Sequence, residues 1–274
     1  MHVSLAQWRN FIIDMDGVLW RGEAPLPGLG AFFKVLRDSE RRIVLATNNS
    51  SRSVPQYVEK LARMGVQVEA DEILTSAQAT ALYLAKRSGK GSRVSVIGGD
   101  GLRVSLQEHG FEVTDENPAF VVVGLDIELN WAKLDSAVIN IRAGAVFVGT
   151  NADATYPNEQ GIGIGNGAIL AALQTATDET PIVIGKPEPT LYEQALQRMG
   201  TTAAKTLVIG DRLETDILGA QRAGIASLLL LTGVTTREAF THSEIQPDLV
   251  LPGLPEVTYA MLSEPENTRV GAAR

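Results

Sequence analysis

Phe11-Ile-Ile-Asp-Met-Asp-Gly17 decides the fold. Its apolar start has the composition of a buried strand, and its two aspartates and glycine follow where the strand must end and a turn begin. Working outward, Arg42-Ile-Val-Leu-Ala46, Thr206-Leu-Val-Ile-Gly210, Ala226 to Leu231 and Asp248-Leu-Val-Leu251 repeat the strand composition. Leu29 to Arg37, Val54 to Met64 and a segment around Ile217 to Ala223 carry helical periodicity, with Pro55 suited to a first helical turn. β-branched runs alternating with helices predict an α/β fold, with helices packed on a mostly parallel sheet.

The middle of the chain repeats this grammar independently. Strands are predicted at Val94 to Ile97, Phe120 to Val123 and Ala145 to Val148, and helices around Leu102 to His109, Trp131 to Arg142 and Ala168 to Thr175. This is the pattern of a second α/β unit. The segment Asn158 to Gly167 carries glycines at 161, 163, 165 and 167, but no Lys-Ser/Thr pair follows to make it a phosphate loop. It reads as a turn or hinge that returns the chain to the first unit.

The 274 residues are 45% hydrophobic, enough for one large domain or two, and the net charge of −8 argues against a polyanion binder. The expected partner is therefore a small molecule and not nucleic acid. No stretch approaches the roughly 20 apolar residues that span a bilayer, and Met1 to Asn10 lack a signal pattern, so a cytoplasmic protein with no membrane partner is expected. The absence of cysteine excludes disulfides, thiolate metal sites and cysteine nucleophiles. His2, His109 and His242 lack metal-ligand spacing and are expected at the surface. With no G-x-S-x-G elbow and no P-loop, the chemistry falls to carboxylates, amides, hydroxyls and lysine.

Four polar clusters stand at predicted strand ends, where open α/β sheets gather their ligands. Asp14 and Asp16, two residues apart, share a face if the strand geometry persists, and their charges repel by ~4 kcal/mol at 4 Å unless a cation or proton intervenes. Thr47-Asn48-Asn49-Ser50 offers hydroxyls and amides to phosphate oxygens, although such clusters often only cap helices. Lys186, in Gly185-Lys-Pro-Glu-Pro189, could offset charge on a transferring phosphoryl group, or be an ordinary solvated lysine. Asp211 and Asp216 could complete an oxygen site for a hard cation such as magnesium, or begin a helix as acidic residues often do. It is the combination, in this order, that is specific.

The same residues give the chain its resemblance to the haloacid dehalogenase superfamily and its phosphatase branch. Asp14-Met-Asp-Gly-Val18, Thr47 with Asn48, Lys186, and Asp211 with Asp216 match the four motifs. Asp16-Gly-Val-Leu-Trp-Arg-Gly22, Thr47-Asn-Asn-Ser50, Gly149-Thr-Asn-Ala-Asp153 and Tyr156-Pro157 resemble the NagD-like and para-nitrophenylphosphatase subgroup. The resemblance implies a Rossmann-like core of residues 1–77 and 181–274, with an α/β cap of residues 78–180 that selects the substrate. It further implies Asp14 as nucleophile, Asp16 as general acid and base, and Thr47, Asn48, Asn49 and Lys186 around the phosphoryl group. Magnesium would be held by the Asp14 and Asp211 side chains and the Asp16 carbonyl, with Asp216 behind them. Pairing of two copies through the cap is also implied. Ile164 departs from the pattern, standing where relatives often carry proline.

Asp16 favours phosphate hydrolysis over dehalogenation, since dehalogenases lack an acid there. Competing readings are a phosphotransferase or phosphomutase, and a binding protein that keeps the fold without turnover; the presence of both acids counts against the latter. The expected substrate is a small phosphorylated metabolite. Asn151, Asp153 and Tyr156 are candidates for facing it from the cap.

Overall fold

In a computed structural model, which describes residues 4–158 and 161–263, Phe11 to Ile13 lie in a central strand, Asn10–Ile13, of a parallel sheet. The strand order is Leu249–Leu251, Ala226–Leu230, Thr206–Gly210, Asn10–Ile13, Arg42–Thr47, Ile73–Thr75, and every neighbouring pair is parallel. Phe11 lies opposite Leu207 on one side and Ile43 on the other. Helices cover both faces, which is why the strands read as unbroken apolar runs. Phe11, Ile13, Ile43, Leu45, Leu207 and Ile209 pack with Phe32, Leu36, Leu61 and Val257, while Ile12, Val44, Ala46 and Val208 pack toward Leu191 and Ala195. The alternation follows the two-residue period of a strand, and each such buried side chain stabilises the fold by roughly 1.5–3 kcal/mol.

A second, five-stranded sheet has the order Ile182–Val183, Val146–Gly149, Phe120–Val123, Arg93–Ile97, Glu112–Val113, again all parallel. Trp131–Arg142 and Asn166–Thr177 cover one face through Ile141, Ile169 and Leu173, and Asp100–Glu108 covers the other through Leu102 and Leu106. The α/β class expected from the sequence is the class observed, and each strand proposed from composition is present with ends shifted by at most two residues.

Several elements escaped the sequence reading, and two of them matter for the site. Strand Ile73–Thr75 is only three residues long, and helix Ser76–Ala85 is buried around much of its circumference, so no polar face marks it. Ala77, Ala79, Ala81 and Leu84 of this helix join an apolar cluster that runs from Ile12 and Val44 of the first sheet to Val94 and Val122 of the second. The glycine-rich segment needs a correction. Thr155–Asn158 and Gly161–Ile164 pair as an antiparallel hairpin, and helix Asn166–Thr177 and strand Ile182–Val183 follow before the chain returns to the first sheet. Its Gly-Ile-Gly-Ile alternation suits a strand, and Gly165 is required because a Cβ there would overlap the Asp153 carbonyl. His109 is half-buried with Nδ1 2.7 Å from the Ser105 carbonyl, His242 is exposed, and His2 lies outside the described residues. Among the described residues no helix is long and apolar enough to cross a membrane.

Candidate active site

Three adjacent strands of the first sheet deliver their carboxyl ends to one place. Arg42–Thr47 ends in Thr47, Asn10–Ile13 is followed by Asp14, and Thr206–Gly210 by Asp211. The Asp14 N–H still donates to the Ile209 carbonyl at 2.8 Å, so its carboxylate leaves directly from the ladder. Lys186, 3% exposed, completes the centre. Its Nζ donates to Asp14 Oδ1 at 2.5 Å, Asp216 Oδ1 at 2.6 Å and the Ala46 carbonyl at 3.3 Å, using all three of its donors.

Asp216 arrives from an unusual turn. Leu213–Ile217 is a π-helical turn in which the Ile217 N–H reaches the Arg212 carbonyl, and it leads into helix Leu218–Arg222. The wide turn brings Asp216 Oδ2 within 3.1 Å of the N–H groups of both Asp211 and Arg212. Both oxygens of Asp216 are thereby engaged.

Asp211 differs. Its Oδ2 accepts from the Val234 N–H at 2.6 Å, but its Oδ1 is buried without a partner. Gly17 and Gly233 shape the room around it: a Cβ at Gly17 would lie 2.6 Å from Asp211 Oδ2, and one at Gly233 would overlap that atom. Gly17 also has a φ of 86°, which side chains rarely adopt.

One ammonium faces three carboxylates, and the site is short of positive charge. Burial pushes the Asp14 carboxyl well above its usual range; Lys186 opposes this and Asp216 and Asp211 add to it. Burial, then Asp216, pushes Asp211 up to about 7. Burial works against the Lys186 charge, but Asp14 and Asp216 outweigh it and hold the ammonium well above its ordinary value. Lys186 is therefore charged, and the upward drift of the acids expresses demand for a second cation or a proton. Asp14, Asp211 and Asp216 each offer an oxygen within 4.8 Å of the others. Hard oxygen donors, the unpartnered Asp211 Oδ1 and the cradle fit a divalent ion such as magnesium.

Asp16 stands outside that group. It lies three residues past the end of strand Asn10–Ile13, is exposed, and its Oδ1 accepts from Trp20 Nε1 at 2.7 Å. Thr47 Oγ1 accepts from the Asn49 N–H at 3.1 Å, which leaves the hydroxyl proton free to donate. Asn49 Oδ1 accepts from the N–H and hydroxyl of Ser51, fixing the loop. Asn48 lines the cleft, but its amide is committed to protein. It accepts from the Lys186 N–H at 2.8 Å and donates to the Lys186 carbonyl at 2.9 Å and to Asp153 Oδ2 at 3.1 Å.

Asp14, Asp16, Thr47, Asn48, Asn49, Lys186 and Asp216 line a cleft of about 670 Å³ including its open mouth. Leu125, Asn151, Asp153, Thr155 and Asn166, from the segments that follow the strands of the second sheet, line its other wall. Asp211 lines an adjoining cleft that Asp16 shares. Asn151 donates to Asp153 Oδ2 at 2.7 Å. Tyr156 lies in the hairpin strand, and its side chain falls outside the described part of the molecule. Sequence reasoning did not single out Arg212 and Thr215, although they lie between Asp211 and Asp216, nor Leu125 and Asn166, which carry no sequence signal.

Comparison with known proteins follows the same residues. A haloacid dehalogenase-like hydrolase model matches residues 11–112, and a HAD-hydrolase-like model matches residues 183–257. The chain is 35% identical over 249 residues to the 5'-nucleotidase YutF of Bacillus subtilis, covering 91% of this chain and 97% of that protein. Among solved structures, a 4-nitrophenylphosphatase from Thermotoga maritima superposes with a TM-score of 0.90 at 36% identity, covering 94% of this chain and 98% of that one. A glycerol phosphate phosphatase from Mycobacterium tuberculosis, in complex with magnesium, superposes with a TM-score of 0.86 at 36% identity, covering 93% and 79%.

Proposed function

The chain belongs to the haloacid dehalogenase-like hydrolases, and from that membership and the geometry of the cleft we propose that it is a magnesium-dependent phosphatase of small phosphomonoesters, acting through a phospho-aspartate on Asp14. The observation that carries the reading is the Lys186 ammonium bound between Asp14 and Asp216 beside the unpartnered Asp211 oxygen. The Asp14 and Asp211 carboxylates and the Asp16 main-chain carbonyl would hold magnesium, which would supply positive charge to offset the phosphoryl oxygens.

An Asp14 carboxylate oxygen attacks phosphorus as the bond to the leaving oxygen breaks, and Asp16 gives that oxygen its proton. Asp16, now a carboxylate, then takes a proton from water while the water oxygen bonds to phosphorus and the Asp14–phosphorus link breaks. Inorganic phosphate leaves and both acids return to their starting states. Lys186 holds Asp14 in line and offsets charge that grows on the transferring group, and the Thr47 hydroxyl donates to one of its oxygens. Asn48 acts by clamping the Lys186 backbone, not by touching substrate. The second sheet and its hairpin, entered at about residue 78 and left after Ile182–Val183, form the cap that selects the leaving group. The substrate class is the small phosphorylated metabolite that such a cleft encloses.

The test is phosphate release with magnesium present, in the wild-type protein and in Asp14→Asn, which keeps the shape and removes the nucleophile's charge. Turnover should fall roughly 10⁴-fold or more, the scale on which losing a nucleophile acts, with the folded spectrum retained. Near-normal release by the variant would remove Asp14 from this role.

A further inference from the structure

We propose that Trp20 is the positioning residue for Asp16, fixing which of its oxygens carries the transferred proton; this rests on the reading of Asp16 as acid and base. Asp14, Asp211 and Asp216 are buried, whereas Asp16 is exposed. Among the described residues the only hydrogen bond to its carboxylate comes from Trp20 Nε1, at 2.7 Å. An exposed carboxylate with no fixed partner samples several rotamers, and proton transfer needs one.

Trp20 is built to be immobile. Its side chain is 0% exposed, and its ring stacks on Tyr57 with centroids 6.3 Å apart and planes 21° apart. Lys60 Nζ sits 4.4 Å from the ring centroid while also donating to the Gly22 carbonyl at 2.7 Å. Tyr57 and Lys60 stand three residues apart on one face of helix Val54–Arg63, which opens on a capping box between Ser53 and Gln56. The backbone adds a further tie, the Gly17 N–H donating to the Trp20 carbonyl at 2.8 Å. Helix face, indole and carboxylate thus form one chain of fixed contacts along the edge of a second cleft, which Asp16 shares with the first.

The chemistry of the indole gives the contact a direction. Its N–H can only donate, so Asp16 Oδ1 must accept, and the proton that Asp16 transfers resides on Oδ2. Without the indole N–H, both oxygens exchange roles and the productive one is presented only part of the time.

The experiment compares Trp20→Phe, and the isosteric replacement of Trp20 by benzothienylalanine, in which sulfur takes the place of the N–H, with the wild-type magnesium enzyme. Single-turnover rates are measured on nitrophenyl phosphate, whose leaving group departs unprotonated, and on glycerol phosphate, whose alkoxide needs a proton. The first step on glycerol phosphate should slow about ten- to hundredfold, the factor that a hydrogen bond to a charged group is worth, while nitrophenolate release stays in the wild-type range. Later phosphate release should slow for both esters. Equal losses in the first step on both esters, or none on either, in the benzothienyl protein would overturn the proposal. Asp16→Asn separates the two levels. If it shows the leaving-group split and the benzothienyl protein does not, the inference about Trp20 alone fails; if Asp16→Asn shows no split, the acid role and this inference fall together.

Discussion

The two parallel sheets of this protein are alike in construction and opposite in chemistry. Both carry apolar strands covered by helices, and the carboxyl ends of both reach the region between them. The first sheet ends in Asp14, Thr47 and Asp211, with Lys186 among them. The second ends in Gly98 and Gly99, Gly124, and Thr150. Glycine here permits close approach to the first unit: a Cβ at Gly124 would lie 2.5 Å from Ser50 Oγ, one at Gly101 in the following helix would overlap the Arg52 carbonyl, and the Gly101 N–H donates to the Ser51 carbonyl at 3.1 Å. Similar architecture therefore supplies a charged cluster in one case and a fitted wall in the other, and the difference lies in the side chains at the strand ends.

Prising the wall from the centre is the strongest way to break this comparison. Gly101→Ala forces a methyl group against the backbone of residues 50–52 and should lower kcat/KM about 10- to 100-fold, since a displacement near 1 Å is enough for losses of that size. Magnesium affinity should be unchanged, because the carboxylates belong to the other sheet. Gly30→Ala is the matched control: it lies in helix Leu29–Asp38 with open space around it, and should keep the kinetics while stabilising the protein by roughly 0.5–1 kcal/mol. Unchanged kcat/KM in Gly101→Ala would show that the wall does not set the site.

A smaller effect sharpens the electrostatic half of the comparison. Asp211 has its folded pKa raised to about 7, above an unfolded value near 3.9. Between these values the folded protein holds a proton that the unfolded chain has lost, so this group's contribution to the stability of the metal-free protein declines as pH rises from about 4 through about 7. Magnesium takes the proton's place. Its addition should raise the melting temperature more at pH 8 than at pH 5.5, and Asp211→Asn should abolish that difference. Equal stabilisation at both pH values would contradict the assignment of the charge deficit to this site.

Much of this was legible in the sequence because burial on both faces forces strands into continuous apolar runs, and chemistry at their ends breaks those runs with aspartate, threonine and glycine. Asp14, Thr47, Lys186, Asp211 and Asp216 converge as their positions suggested. What was not legible depends on contacts across the fold. Helix Ser76–Ala85 has no periodic polar face because helices Asp100–Glu108 and Pro189–Met199 pack against it, although the capping pair Thr75 and Gln78 marks its start. The clamp of Asn48 on Lys186 joins residues 138 apart. The glycine run looked like a hinge because the approach of Gly165 to Asp153 cannot be read from either segment alone.

The central claim is the covalent link on Asp14, and acid quenching tests it most directly. Asp16→Asn, slowed in the second step, is mixed with nitrophenyl phosphate and magnesium, quenched within the first turnover, and the phosphorylated peptide is located by mass spectrometry. The account predicts close to one phosphoryl group per chain on the peptide that contains Asp14, and none when Asp14→Asn is added to the same protein. Nitrophenolate release with no phosphorylated peptide, or a phosphoryl group found on another residue, would contradict it.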